Sequence, residues 1–118
     1  MLKEGIGFKK IVIRCGRTDM RRGITGLVTI IRLEYGMDTL EDGTLFLFCG
    51  HNRSCIKGII YEGDGYLLLT KRLSDGVYQW PRDTDEAKVL SSAEFKRLMD
   101  GFAIESSIRS YKKRVRGV

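Results

Sequence analysis

The stretch from residue 8 to residue 36, FKKIVIRCGRTDMRRGITGLVTIIRLEYG, predicts a strand followed by a helix. Residues 8–14 contain the β-branched, apolar run Ile11-Val12-Ile13, which is typical of a strand. A short turn follows, and Thr18 or Asp19 is expected to cap the helix, because a short side-chain oxygen can accept from its first N–H groups. Gly36 is expected to end the helix. The apolar residues of this helix fall on one helical face: Ile24, Leu27, Val28, Ile31 and Tyr35.

Two glycines, Gly23 and Gly26, lie inside the predicted helix, where each costs about 1 kcal/mol relative to alanine. One explanation is that another group approaches the helix backbone closely at these positions. The other is tight packing of the helix against a sheet. The sequence leaves both explanations open.

Beyond the helix, apolar runs separated by turn residues predict four more strands: residues 44–48, 55–62, 66–73 and 77–80. The turns Gly63-Asp64-Gly65 and Ser74-Asp75-Gly76 are short, and short turns join antiparallel neighbours. A charged connection over residues 82–90 is then expected. Ser91 or Ser92, with Glu94 in the first turn, is expected to cap a final helix.

The predicted fold is therefore a single α+β domain, an antiparallel meander sheet of four to five strands with two flanking helices and a basic C-terminal tail. The domain is expected over residues 1–102 and the tail over residues 103–118. The chain has 118 residues, of which 42% are hydrophobic, which is enough for one packed core.

No apolar run approaches the roughly 20 residues of a membrane span, so no membrane association is expected. The first residues show no apolar signal-peptide core, and the expected location is the cytoplasm. The cysteine count is odd, at 3, which favours reduced thiols over a closed disulfide set.

The net charge is +6, and it is concentrated near the C-terminus. Residues 103–118 carry five cations and one acid, Glu105, so five minus one gives +4 of that total. A basic balance of this kind indicates an acidic partner, and nucleic acid is the first candidate. No small-molecule substrate is indicated.

Three blocks of sequence carry a resemblance to a known family. The first is residues 15–24, CGRTDMRRGI, followed by Gly26-Leu27. The second runs from residue 45 through Lys57 into residues 62–66, EGDGY. The third is residues 71–73, KRL, with Gly76 and a closing Trp80-Pro81.

Over roughly residues 8–102 the chain thus resembles the TnpB-type accessory protein, the second reading frame of the insertion-sequence family numbered sixty-six. The resemblance implies an accessory, non-catalytic part in DNA transposition, beside a separately encoded transposase as partner. The family's longer basic cluster before the strand at residues 55–62 is reduced here to Arg53 ahead of Lys57, and Tyr61 stands where a tryptophan is usual near the end of that strand. Gly58 stands where a large aliphatic residue is usual.

Contact with DNA is the favoured site hypothesis. Arg14, Arg17, Arg21 and Arg22 cluster at the junction of strand and helix, where guanidinium groups and free helix N–H groups both suit phosphate. Arg21 and Arg22 are expected in the first helical turn. The alternative is that Arg21 pairs with an acid such as Asp19 or Glu62. Further candidate DNA contacts lie around the start of the strand at residues 55–62 and in the tail: Arg53, Lys57, Arg109, Lys112, Lys113, Arg114 and Arg116.

Catalytic residues, cofactors and metals are not expected. No nucleophile, base and acid set or phosphate-binding glycine fingerprint is present. Cys15, Cys49, His51 and Cys55 could supply zinc ligands, but their spacing does not match the usual ligand pairs. Whether these four side chains approach each other stays open at this point.

The rival hypothesis is a protein-interaction module that docks on the transposase without binding DNA. Exposed aromatic side chains at Tyr66, Tyr78 and Trp80 would form its face. For Trp80 the favoured alternative is packing at the end of the sheet beside Pro81, because aromatic side chains are usually buried.

Overall fold

The computed structural model describes Leu2 together with residues 7–36 and 41–104. Five strands and two helices lie in this part of the chain, which confirms the α+β class. In order they are β1 (Lys10–Arg14), α1 (Ile24–Tyr35), β2 (Thr44–Cys49), β3 (Cys55–Tyr61), β4 (Tyr66–Arg72), β5 (Ala87–Leu90) and α2 (Ser92–Met99).

The strands form one sheet in the order β4-β3-β2-β1-β5. The pair β3–β4 is antiparallel, as the short Gly63-Asp64-Gly65 turn predicts, and the pair β2–β3 is antiparallel as the meander predicts. The pair β1–β2 is parallel, with Val12 opposite Phe46. A purely antiparallel meander is therefore wrong for the first strand. The reason is physical: α1 carries the chain back along the sheet, so β2 starts again in the direction of β1.

Each face of the sheet is covered by one helix. On one face, α1 contributes Leu27, Ile30 and Ile31 to a core with Phe46 and Ile59. On the opposite face, α2 packs its own apolar stripe against the other side of the same strands: Phe95, Leu98 and Met99 against Ile11, Ile13, Leu45, Leu47 and Ile56. β2 is buried on both faces along its whole length, as expected for a central strand.

Two predictions for residues 77–90 are wrong. Residues 77–80 do not form a strand; Tyr78 and Trp80 are buried in the core, whereas Val77 and Gln79 are exposed. The predicted charged connection instead contains β5, which pairs antiparallel with β1 through Val89 opposite Val12. Lys88 and Val89 lie on a short edge strand, where charge and exposure hide the strand pattern.

The start of α1 also differs from the prediction. The helix begins at Ile24 with Gly23 as its N-cap and no capping side chain. Asp19 does not cap it; its carboxylate accepts from the backbone N–H of Arg21 at 3.0 Å and closes a local turn instead. Arg21 and Arg22 therefore precede the helix. Its end is as predicted, since Gly36 adopts the left-handed conformation with φ 66°.

The N-terminus of α2 confirms the predicted cap. Ser91 accepts from the backbone N–H of Glu94 at 3.1 Å, and the Glu94 carboxylate accepts from the Ser91 N–H at 2.9 Å. Beyond α2, Ile104 is buried in the core, so packing extends past the predicted domain boundary at residue 102. In the described ranges, no helix is long and apolar enough to cross a membrane.

Candidate nucleic-acid interface

The candidate interface lies where β1 and β2 end. Because these strands are parallel, the segment after β1 and the loop after β2 meet at one edge of the sheet. The backbone N–H of Thr18 donates to the carbonyl of Cys49 at 2.9 Å, which ties the two together. Gly50 lies against the Met20 side chain so closely that a Cβ would collide with it.

The turn at Gly16 is anchored to a third segment, residues 81–86. The Gly16 N–H donates to the Pro81 carbonyl at 2.8 Å, and the Cys15 N–H donates to the Glu86 carbonyl at 3.0 Å. Gly16 has φ +81°, a left-handed conformation that side-chain-bearing residues rarely adopt. These bonds fix the backbone from which the arginine side chains project.

Arg17 projects from this edge into solvent. Its Nη1 lies 2.9 Å from Nδ1 of His51, on the loop after β2. Arg53 belongs to the same loop and is also exposed. Both arginines act on Arg82: burial lowers the pKa of Arg82, and the nearby charges of Arg53 and Arg17 lower it further, while Cys49 opposes them. Three guanidinium groups therefore share this end of the sheet.

Arg82 is a residue that the sequence interpretation missed. Its Nη2 donates to the carbonyl of Gly50 and lies 3.8 Å from Sγ of Cys49. Its Nη1 is buried and has no hydrogen-bond partner among the described residues. The available signal was its place directly after the closing Trp80-Pro81 pair. Arg82 holds the loop after β2 in place and adds positive charge beneath it.

A second basic pair, Arg22 and Lys57, lies on the α1 face. The Lys57 Nζ donates to the backbone carbonyl of Arg22 at 3.0 Å. The stem of Arg22 lies over Gly26, where an added Cβ would lie 3.1 Å from Cβ of Arg22 and 3.3 Å from its Cγ. Close approach therefore explains Gly26, and the approaching group is the chain's own arginine. Gly23 has open space around it and serves as the N-cap.

The N-terminus of α1 adds to the positive potential beside Arg22. It has no side-chain cap and no acidic residue in its first turn. Ile24 and Thr25 are exposed there. Free N–H groups and the helix dipole both favour an anion at such a position.

Two of the predicted contact residues are engaged within the fold. Arg14 donates from Nη1 to the carbonyl of Arg17 and to Oγ1 of Thr18, both at 3.0 Å. Its Nη2 lies 2.8 Å from the Glu34 carboxylate, and its Nε donates to the Tyr35 hydroxyl at 3.0 Å. Burial alone would lower the pKa of Arg14, but the bonds to Glu34 and Tyr35 raise it. Arg14 is thus a structural residue that links β1 to the end of α1.

Arg21 is the second predicted contact residue that is engaged within the fold. It forms a two-point pair with Asp19, with Nε to Oδ1 at 3.0 Å and Nη2 to Oδ2 at 2.9 Å. These bonds hold the pKa of the Asp19 carboxyl well below its usual range, at about 2. The alternative considered for Arg21, pairing with Asp19, is the arrangement found. The tail candidates Arg109, Lys112, Lys113, Arg114 and Arg116 lie outside the described residues.

Arg72 completes a set of exposed or half-exposed cations, here called the basic edge, whose other members are Arg17, Arg22, Arg53 and Lys57. A groove beside the loop after β2 is lined by Arg72, His51 and Asn52. Successive residues of a strand point to opposite faces, and Leu69 belongs to the α2 face, so Lys71 points to that face as well.

The cysteines do not assemble a metal centre in the part of the chain that the structure describes. Cys15, Cys49 and Cys55 are buried there, whereas His51 is exposed and its Nδ1 lies beside the guanidinium group of Arg17. No group of three or more His, Cys, Asp or Glu side chains in residues 7–36 and 41–104 converges on a possible ion. Burial raises the pKa of the Cys49 thiol to about 11, against an opposing effect of Arg82.

A cleft of about 600 Å³ lies beside β5, and no arginine is among its lining residues. Asp83 and Glu86 lie on its wall with Cys15 and Trp80. Acidic side chains repel phosphate, so this cleft does not extend the basic edge. Burial raises the pKa of the Cys15 thiol, which is unlike an activated nucleophile.

Fold and site together define a small α+β protein whose described surface offers a basic edge rather than a catalytic constellation. Comparison with known families gives a match over residues 9–109 to the family described as IS66 Orf2 like protein. The chain belongs to this family, the accessory second reading-frame product of an insertion sequence. The resemblance inferred from the three sequence blocks is thereby confirmed.

Two similar proteins come from Sinorhizobium fredii. The uncharacterized protein y4hO is 36% identical over 92 residues, covering 78% of this chain and 79% of that protein. The uncharacterized protein y4jC is 32% identical over 95 residues, covering 78% of each. No solved structure matches the chain.

Proposed function

We propose that this protein is a non-catalytic accessory factor of transposition that binds the phosphate backbone of DNA through its basic edge. The basic edge is defined here by Arg17, Arg22, Arg53, Lys57 and Arg72. The observation that carries the proposal is that none of these five forms an ion pair with another described residue. Cations left without acidic partners are suited to phosphate.

The local geometry supports this use. Arg17 and Arg53 both act electrostatically on Arg82, whose pKa is lowered by burial and by these positive neighbours. Such repulsion is relieved by an anion. On the α1 face, Arg22 and Lys57 lie beside an uncapped helix N-terminus, which offers N–H groups to the same phosphate chain.

Arg14 and Arg21 are left out of the proposed contact surface, because Glu34 and Asp19 already engage their guanidinium groups. The five cations of the tail, from Arg109 to Arg116, are proposed as a second, sequence-independent DNA contact. A basic segment adds affinity through counterion release whatever its conformation.

The test is a DNA-binding titration with two double variants of equal charge. R17Q/R53Q removes two cations from the basic edge, and K10Q/K96Q removes two exposed cations elsewhere. The first should weaken binding to a short duplex roughly tenfold or more, and the second only slightly, because close phosphate contacts dominate. Equal losses in the two variants would overturn the proposed surface.

Salt dependence tests the same proposal independently. With about four to six phosphates neutralised, the logarithm of the affinity should fall with the logarithm of salt at a slope of roughly −4 to −5. R17Q/R53Q should make that slope shallower by about two, since two contacts are lost. An affinity that does not respond to salt would refute phosphate contact.

The transposase of the same element is the proposed protein partner, on the strength of the family alone. The aromatic face predicted for docking is wrong in two of its members, because Tyr78 and Trp80 are buried. A pull-down of purified transposase with and without DNA separates the two roles. Capture that needs DNA favours the accessory factor on DNA, and capture without it favours the docking module.

A further inference from the structure

The outer edge of β4 is a long strand edge without a partner among the described residues. β4 pairs with β3 in unbroken register from Cys55 opposite Arg72 to Tyr61 opposite Tyr66. Its other side carries no strand in the described sheet. It contains no proline and no bulge, and Leu67 is 41% exposed. The opposite edge of the sheet, β5, is protected by being only 4 residues long.

The direction of the backbone groups along β4 follows from two hydrogen bonds at its ends. The Leu73 N–H donates to the Ser54 carbonyl at 2.7 Å, and the Glu62 N–H donates to the Gly65 carbonyl at 2.9 Å. Gly65 and Leu73 therefore bond toward β3, and direction alternates along an antiparallel strand. The outward N–H and C=O groups belong to Tyr66, Leu68, Thr70 and Arg72.

We propose that this edge is a homodimer interface, in which β4 pairs antiparallel with β4 of a second copy about a two-fold axis at Leu69. In that register Tyr66 faces Arg72 of the second copy and Leu68 faces its Thr70. Each of these is a hydrogen-bonded pair, so roughly eight backbone hydrogen bonds form and every outward group of β4 is satisfied. An isologous contact of this kind closes by itself as a dimer.

The side chains are self-complementary in the same register. Leu69 meets its own copy, and Leu67 lies opposite the stem of Lys71. Arg72 lies opposite the Tyr66 ring, at the end of β4 where the exposed acidic turn with Glu62 and Asp64 begins. Charge therefore favours the antiparallel arrangement, whereas a parallel pair would set Lys71 and Arg72 of both copies side by side.

A two-fold axis perpendicular to the sheet keeps both copies of α1 on the same face of one continuous sheet. The proposal does not rest on DNA contact, because it is argued from the backbone of β4 and is tested without DNA. Arg72 is shared by the basic edge and this interface, so the DNA-binding test uses Arg17 and Arg53 instead. Loss of either proposal leaves the other standing.

The first measurement is the solution mass of the full chain by sedimentation. We expect twice 13.4 kDa at micromolar concentrations. Thr70→Pro removes an outward N–H without touching the β3 ladder, so it should raise the dimer dissociation constant about tenfold while the circular dichroism is unchanged. A mass of 13.4 kDa at all concentrations up to about 0.1 mM overturns the proposal.

The register has its own test, which does not rely on the proline variant folding. Residues facing each other at the non-hydrogen-bonded site have Cα atoms about 4.5 Å apart, within disulfide reach. Leu69→Cys should therefore form a crosslinked dimer on mild oxidation. Leu67→Cys is the matched control, because it faces Lys71 and not its own copy. Absence of the Leu69→Cys crosslink, or equal crosslinking of the control, refutes this register.

Two variants of opposite charge at position 67 test its pairing with Lys71 of the second copy. Leu67→Lys sets a cation opposite Lys71 of the second copy, and Leu67→Glu sets an anion there. Both remove the same apolar contact, so only the sign differs. The glutamate variant should dimerise roughly tenfold more tightly than the lysine variant. Equal affinities would contradict the proposed pairing of residues 67 and 71.

Discussion

The indole Nε1 of Trp80 donates a 2.8 Å hydrogen bond to the backbone carbonyl of Arg14, the last residue of β1. The two residues are 66 positions apart in the chain. Trp80 is only 3% exposed, so its N–H has found a partner inside the core. This bond fixes the segment before β5 against the turn from which Arg17 projects.

Trp80→Phe should lower the free energy of unfolding by at least about 1 kcal/mol, because the Arg14 carbonyl loses its donor and a cavity opens. Urea unfolding followed by circular dichroism measures this. Tyr66→Phe is the control, since the Tyr66 hydroxyl has no bond to a described residue, and it should change stability by less than about 0.5 kcal/mol. Equal effects would show that the indole N–H contributes nothing.

Gly16 and Gly76 allow the cost of a left-handed backbone to be separated from the cost of a steric collision, because both have φ +81°. Gly76→Ala should cost about 1–2 kcal/mol for the left-handed backbone alone, as nothing lies within 4 Å of the new Cβ. Gly16→Ala should cost clearly more, because its Cβ would collide with the Asp85 carboxylate and lie 3.1 Å from the Thr84 carbonyl. Thermal unfolding of the two variants gives the comparison, and equal costs would contradict it.

The pairing of Asp19 with Arg21 predicts a pH dependence in the acid range. The pKa of Asp19 is lowered from 3.8 to about 2 by the Arg21 bonds, so the pair is complete above pH 3.8 and is lost as the pH falls through about 2. Carboxyl-carbon NMR should show a midpoint near the lower value. In Arg21→Gln the midpoint should move up toward 3.8. A midpoint unchanged by that substitution would rule out the pair.

Gly26→Ala should stabilise α1 by less than the roughly 1 kcal/mol usual for this change in a helix. The Arg22 stem must move, since the new Cβ would lie 3.1 Å from its Cβ. In the Arg22→Ala background part of the gain should return, because alanine lacks the Cγ and Cδ that would lie 3.3 and 3.5 Å from the new Cβ but keeps its own Cβ. Urea unfolding of Gly26→Ala, Arg22→Ala and the double variant measures the interaction energy between the two positions. Additive effects would mean that Arg22 and Gly26 do not interact.

Cys49 should resist thiol reagents in the native protein at pH 8. Its pKa is raised to about 11, chiefly by burial, so the thiol stays neutral and loses its proton only as the pH rises toward that value. Mass spectrometry after brief alkylation should find it unmodified, and modified once urea is present. Rapid labelling of Cys49 without urea would contradict this burial.

Local pattern predicted much of the fold. The 3.6-residue spacing placed α1, the turn glycines placed β3 and β4, and Ser91 with Glu94 placed the start of α2. The predictions that failed concern contacts between residues far apart in the sequence. β5 has 4 residues with Lys88 among them, too short and too charged for a periodic signal. Its strand character comes from pairing with β1, which is distant in sequence.

The candidate site was likewise only partly predictable from the sequence. The sequence picked out the cations, but not which were already engaged. Arg14 bonds to Glu34 and Tyr35, 20 and 21 residues away, and only the α1 crossover brings them together. Arg82 enters the site for the same reason, since its partner Gly50 lies 32 residues earlier.

The position of β1 has a consequence for synthesis of the chain. β1 is synthesised before the other four strands of the described sheet, yet it lies between β2 and β5, and β5 ends at Leu90. Until the last strand has been made, the nascent chain exposes one side of β1 as an open edge. Completion of the sheet therefore waits until Leu90 has been added, and a product terminated before β5 would be prone to aggregation.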